Sequence, residues 1–255
     1  MNLKNNPVGV FDSGVGGISV LRDLRRILPE EDFLYFGDTA NAPYGTKTTA
    51  EVIRLSRQVV EHLTSQGIKA LVIACNTATG AAAATLRKEL TIPVIGMEPA
   101  LKPASLARKD RAVLVLATPL TLNQEKFRTL MERYGEGAVK VPCPGLMELV
   151  EADDREGALR YLRELFLRYP AEQVDAVVLG CTHYVFLKDM IRGLLPERIV
   201  LTDGNEGTAR QLDRVLRREG LRRDPGAAGA VKLETSGTEA DLALLEKLLD
   251  RGISA

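Results

Sequence analysis

Ala70-Leu71-Val72-Ile73-Ala74-Cys75-Asn76-Thr77 and Ala176-Val177-Val178-Leu179-Gly180-Cys181-Thr182-His183 are near-copies of one local setting. Each is a short apolar run rich in β-branched residues, as expected of a strand buried on both faces. Each then leads into a helical pattern. The two cysteines are 106 residues apart, and the same offset relates three further strand-like segments: 8–12 falls on 114–118, 33–37 on 139–143, and 92–96 on 198–202. Four apolar segments at one spacing point to a duplicated scaffold, in which two thiols could face one another across a pseudo-twofold axis.

Outward from these segments, strands are expected at 8–11, 33–37, 70–74 and 92–96, alternating with helices at 17–28, 49–65 and 77–89. The second half repeats the order, with strands at 113–117, 139–142, 174–180 and 199–202 and helices at 121–134, 155–168 and 185–194. Such alternation predicts an α/β protein with parallel sheets covered by helices on both faces. Pro99 and Pro103 mark 98–104 as the linker between halves. Beyond residue 203 a helix (207–219), a surface loop (222–229), a strand (231–235) and a helix (239–249) have no counterpart in the repeat. They are expected to pack on the first half. The expected domains are therefore 1–97 with 207–255, and 98–206, with the active site between them.

With 255 residues the chain can bury a sizeable core. Lys+Arg and Asp+Glu both number 34, so no basic surplus suggests a nucleic-acid partner and no acidic tail a solvating one. Three cysteines in this length do not make a disulfide framework, which fits a reducing compartment. The first seven residues lack an apolar signal region, and no apolar run is long enough to span a membrane. The expectation is a soluble, cytoplasmic protein.

In open parallel sheets, ligands bind beyond the carboxyl ends of the strands. Asp12-Ser13-Gly14-Val15-Gly16-Gly17, Cys75-Asn76-Thr77, Thr118 and Cys181-Thr182-His183 all fall there. The glycine-rich turn at 12–17 matches neither GxGxxG nor the P-loop, and Asp12 would repel a phosphate, so nucleotide binding is the weaker reading. A strand cysteine is often only a small buried hydrophobe. The duplicated setting favours reactive thiols instead. Thr77 and Thr182 are the expected helix N-caps, and a helix N-terminus stabilises a thiolate. Four chemistries are open to the pair. A disulfide needs close Cα atoms. A zinc site could draw on Asp12, Cys75, Cys181 and His183 but lacks the usual ligand spacing. A Cys181–His183 hydrolase dyad is awkward at two residues' separation. In the last, one thiolate takes a proton from one face of a carbon while the other thiol delivers one to the opposite face. Cys143, opposite Gly37 in the repeat, has no paired partner and is expected to be structural, and His62 to lie at the surface.

The stretches 12–17, Gly37-Asp38-Thr39-Ala40-Asn41-Ala42-Pro43-Tyr44-Gly45-Thr46-Lys47, 74–78, Leu149-Val150-Glu151, 179–184 and Thr235-Ser236-Gly237 together resemble the glutamate racemases, cofactor-independent members of the Asp/Glu racemase family. The resemblance spans about 5–205 and, more faintly, the tail. It implies two flavodoxin-like, doubly wound halves and interconversion of L- and D-glutamate by two cysteines. No cofactor and no metal are implied. Carried over by position, Cys75 and Cys181 are the acid/base pair, Asp12 assists Cys75, and His183 with Glu151 assists Cys181. Asp12, Ser13, Tyr44, Gly45, Asn76, Thr77, Thr182 and His183 would hold the substrate. The resemblance also implies a homodimer that supplies D-glutamate for peptidoglycan, with neither nucleic acid nor membrane as partner. Thr79, Met97, Glu148, Val185 and Gly204 depart from the family's usual pattern without removing an acid/base residue.

Overall fold

The computed structural model describes residues 3–250; the outermost residues of the expected first domain, 1–2 and 251–255, lie outside them. Among the described residues the strands are β1 (Val8–Asp12), β2 (Phe33–Gly37), β3 (Ala70–Ile73), β4 (Val94–Gly96), β5 (Ala112–Ala117), β6 (Ala138–Pro142), β7 (Val174–Leu179), β8 (Val200–Asp203) and β9 (Val231–Thr235). They form two sheets, ordered β4-β3-β1-β2-β9 and β6-β5-β7-β8, with every pairing parallel. The chain divides into two compact units. One runs to Met97 and resumes at Asn205; the other is Glu98–Gly204.

Both sheets carry the flavodoxin-like strand order 2-1-3-4, and β9 extends the first beyond β2. The duplication seen in the sequence thus reappears as identical topology. Its spacing is not constant, however. Phe11 pairs with Phe36 and Ile73, and Leu116 with Val141 and Leu179. Phe11 therefore corresponds to Leu116 at an offset of 105, while Ile73 corresponds to Leu179 at 106. One extra residue lies between the second and third strands of the second unit, and another between its third and fourth, where Asp203 pairs with Leu179 as Gly96 does with Ile73. Asp38 N–H donates to the Asp12 carbonyl, as Cys143 N–H does to that of Ala117. Cys143 is thus the counterpart of Asp38 rather than of Gly37, and Thr118 that of Ser13.

The uninterrupted apolar strands are explained by burial on both faces. Alternate residues of β5 enter different clusters. Leu114 and Leu116 join Leu162, Val177 and Ile191, while Val113, Val115 and Ala117 join Leu101, Phe127 and Val178. Three expectations are corrected here. The supposed linker contains a helix, Leu101–Ala107, because Leu101 and Ala104 are drawn into the second cluster. The helix expected at 121–134 is two, Pro119–Asn123 and Glu125–Tyr134. Thr118 caps the first through the Thr121 N–H, with Pro119 in the first turn. The helix expected at 185–194 is a 3-10 segment, Thr182–Leu187, followed by Lys188–Leu194. One helix without a sequence expectation, Leu146–Glu151, starts behind Gly145, whose φ of 82° suits glycine. The loop at 222–229 is anchored at its start, where Arg222 binds Glu30, Glu31 and Asp213.

Candidate active site

In the first unit the strand order reverses between β1 and β3, and the candidate residues sit beyond their carboxyl ends. Asp12 ends β1, fully buried, and its Oδ1 accepts the Gly14 N–H at 2.9 Å. Tyr35 donates its hydroxyl to the Gly14 carbonyl at 2.8 Å. A Cβ at Gly17 would lie 2.6 Å from Asp12 Cβ and 2.9 Å from the Tyr35 hydroxyl. The glycine there is explained by close packing, with no phosphate required.

Cys75 lies two residues past β3 and is itself the N-cap of the helix Asn76–Glu89. Its Sγ accepts the Ala78 N–H at 3.3 Å and is 3.6 Å from Ser13 Oγ. This corrects the cap expected at Thr77, which is the second residue of the helix; the thiol reaches the free N–H groups first. The position favours the thiolate, since a helix N-terminus carries partial positive charge. Asn76 is buried, and neither its Nδ2 nor its Oδ1 has a hydrogen-bond partner. Leaving such groups unpaired is costly, so they form a donor and an acceptor ready for a ligand. Tyr44 is fully buried in the 3-10 turn Tyr44–Thr46, which also carries Gly45. Its hydroxyl donates to Asp38 Oδ2 at 2.6 Å. Burial, this bond and the charges of Asp38, Cys75 and Asp12 push the phenol pKa well up, so it stays neutral.

In the second unit Cys181 lies two residues past β7, directly ahead of the 3-10 segment. Thr182 is the first residue of that segment, so the cap expected of it is absent as well. The tight turn brings His183 back onto the cysteine. Cys181 Sγ and His183 Nδ1 are 3.7 Å apart, and His183 Nε2 is 3.1 Å from Glu151 Oε1. Thr182 Oγ1 lies 3.5 Å from the same Nδ1. The spacing that made a Cys–His contact awkward in sequence is thus overcome by 3-10 geometry. Burial alone would lower the His183 pKa, but Cys181 and Glu151 outweigh it and raise the value well above the ordinary one. The imidazolium is therefore favoured.

Cys143 is buried, donates to the Val141 carbonyl at 3.4 Å, and accepts the Tyr184 hydroxyl on its own carbonyl at 3.1 Å. Burial and the charge of Cys181 push its thiol up to about 12, so it remains protonated. All three cysteines are free. Among the described residues no group of three or more His, Cys, Asp or Glu side chains is arranged to hold a metal ion. His62 lies on the half-exposed side of its helix, bonded to Glu234 at 2.7 Å. Asp38 was not among the residues expected to act; its signal was a carboxylate directly after a buried strand and six residues ahead of Tyr44.

Residues 8–212 match the sequence profile of the Asp/Glu/hydantoin racemases. A glutamate racemase of Bifidobacterium adolescentis is 51% identical, with 96% of this chain and 98% of the relative covered. The structure of glutamate racemase from Thermus thermophilus, in complex with β-chloro-D-alanine, superposes with a TM-score of 0.80 at 40% identity, covering 99% and 96% of the two chains. That from Francisella tularensis, in complex with D-glutamate, does so with a TM-score of 0.81 at 28% identity, covering 98% and 96%. Similarity of this extent, over nearly the whole chain and in both sequence and fold, shows that the protein belongs to the Asp/Glu/hydantoin racemase family.

Proposed function

We propose that this protein is a glutamate racemase in which Cys75 and Cys181 exchange protons with opposite faces of the substrate α-carbon. The carrying observation is that each unit sets a free thiol just past the equivalent strand, with its own proton-managing neighbours. One thiolate takes the α-hydrogen as a proton and leaves the electron pair on the α-carbon, delocalised into the carboxylate. The opposite thiol then delivers its proton to the other face. The first cysteine ends as a thiol and the second as a thiolate; exchange with solvent restores the starting state. Asp12 and Ser13 serve the Cys75 side, and His183 with Glu151 the Cys181 side. Tyr44, Gly45, Asn76, Thr77 and Thr182 hold the substrate's ammonium and carboxylates.

The α-proton is a far weaker acid than a thiol, so the developing negative charge must be stabilised by preorganised donors. The unpaired amide of Asn76 and the N–H groups at the helix start behind Cys75 suit that task. The imidazolium of His183 supplies the proton balance on the other side. Proton transfer is assigned wholly to protein groups, with no cofactor step. The family supports the accompanying proposals of a cytoplasmic homodimer that feeds D-glutamate to peptidoglycan, and sedimentation tests the dimer.

The test is L-glutamate with the purified protein and EDTA in D₂O, followed by circular dichroism and proton NMR. Loss of optical activity together with the α-proton signal is expected, abolished in Cys75→Ala and Cys181→Ala and retained in Cys143→Ala. Normal racemisation by Cys75→Ala would end the two-thiol reading. Exchange with aspartate alone would move the substrate. Exchange with neither would favour a binding protein for an acidic metabolite.

A further inference from the structure

The tail motif Thr235-Ser236-Gly237 has no place in the proton chemistry, yet it ends on the loop that carries Tyr44. Asp38, at the start of that loop, is a carboxylate only 2% exposed. Its Oδ2 accepts from Tyr44, and its Oδ1 accepts from Ser236 Oγ at 2.7 Å and from Asn41 Nδ2 at 2.9 Å. Ser236 Oγ in turn accepts the Ala40 N–H at 3.1 Å, so this hydroxyl bridges the carboxylate and the loop backbone. Thr39 and Thr235 share a hydrogen bond of 2.6 Å, and Ser236 N–H donates to the Gly37 carbonyl. At Gly237 a Cβ would lie 2.2 Å from Thr39 Oγ1 and 2.3 Å from Asp241 Oδ2. Any side chain there would require the Thr39 and Asp241 side chains to move. β9, paired with β2, delivers this clamp across some two hundred residues of chain.

The second unit shows what happens without it. Among the described residues its sheet has no strand equivalent to β9, and Cys143 occupies the position of Asp38. The same position thus carries a carboxylate with three side-chain donors in the first unit and a thiol in the second, and only the carboxylate orients a phenol there.

We infer that Asp38 and Ser236 are positioning residues, through which the carboxyl-terminal strand locks Tyr44 and its loop in the conformation that receives substrate. The inference rests on the proposed substrate role of Tyr44. Neither Asp38 nor Ser236 takes part in proton transfer, so their loss acts on binding. A hydrogen bond from the exposed Ser236 to the buried Asp38 carboxylate predicts that Ser236→Ala raises KM for glutamate about tenfold, with kcat within about twofold of wild type. Ser236→Thr keeps the hydroxyl and restores KM. In a Tyr44→Phe background, Ser236→Ala adds little, because both act through Asp38.

The experiment is that double-mutant cycle in the full chain, with hydrogen exchange followed over residues 38–47. The inference predicts coupled KM effects and faster exchange confined to the loop and tail in Ser236→Ala. Additive KM effects or unchanged loop exchange would overturn it. Absence of racemisation by the wild-type protein would instead refute the functional reading. In that event loop exchange alone still decides whether Ser236 positions the loop.

Discussion

Replacing His183 by asparagine probes the second half-site most directly. The change removes a buried imidazole that lies 3.7 Å from Cys181 Sγ and 3.1 Å from Glu151 Oε1. A hydrogen bond to a charged group contributes about 1.5–3 kcal/mol. The long sulfur contact places the loss near the middle, about 2 kcal/mol, or roughly 30-fold in kcat/KM. L- and D-glutamate are mirror images of equal free energy, so the equilibrium constant between them is unity. Whatever the substitution does, kcat/KM must then fall equally in both directions. Asymmetry is confined to kcat and KM taken separately, and to isotope effects. In the direction where Cys181 is the base, breaking the α-C–H bond becomes slower, and the substrate deuterium isotope effect rises. In the reverse direction the slow step becomes delivery of a solvent-derived proton by Cys181. There the substrate effect shrinks and the solvent effect grows. Initial rates by circular dichroism, with protiated and α-deuterated substrate of each hand in H₂O and D₂O, measure all of these. Equal substrate isotope effects in the two directions would refute the pairing of His183 with Cys181. Glu151→Gln is expected to be milder, about fivefold, because the amide oxygen still accepts from Nε2 and only the charge is lost.

Two further predictions concern the scaffold of the first unit. The Lys69 side chain is wholly buried on an equally buried Glu31, which also accepts from Arg222 at 3.2 Å and from the Arg223 N–H at 2.8 Å. Lys69→Met leaves Glu31 with those partners and should cost about 3 kcal/mol, lowering Tm by about 6–12 °C. Glu31→Gln, which weakens all three contacts, should cost at least as much; an unchanged melting curve for either would discount the cluster. Glu234 is the second case. Against the upward push of burial, bonds from Lys232, His62 and Gln66 pull its pKa down to about 2. A depressed carboxylate stabilises the fold above its unfolded pKa of about 4.3 and loses that contribution as pH falls through the folded value. Glu234→Gln should therefore flatten the stability profile between about pH 4 and pH 2, as read by urea melts at each pH.

Much of the fold was legible because it is local. Continuous apolar runs such as Ala70–Ile73 and residues 176–179 mark strands covered on both faces, and their alternation with helical patterns predicts parallel sheets. The two cysteines could be placed just past equivalent strand ends for the same reason. Local pattern could not place the extra residue between the second and third strands of the repeat, so Cys143 was set opposite Gly37 instead of Asp38. Nor could it show that a 3-10 turn folds His183 onto Cys181, because the tightness of that turn is imposed by the core that buries Tyr184 and Val185. Periodicity still recorded which residues are buried and in what order. It is silent on which distant polar groups meet, as Glu151 meets His183 across 32 residues and Ser236 meets Asp38 across 198. Those contacts depend on how whole elements pack and on the need of every buried polar group for a partner, and only the tertiary structure decides them.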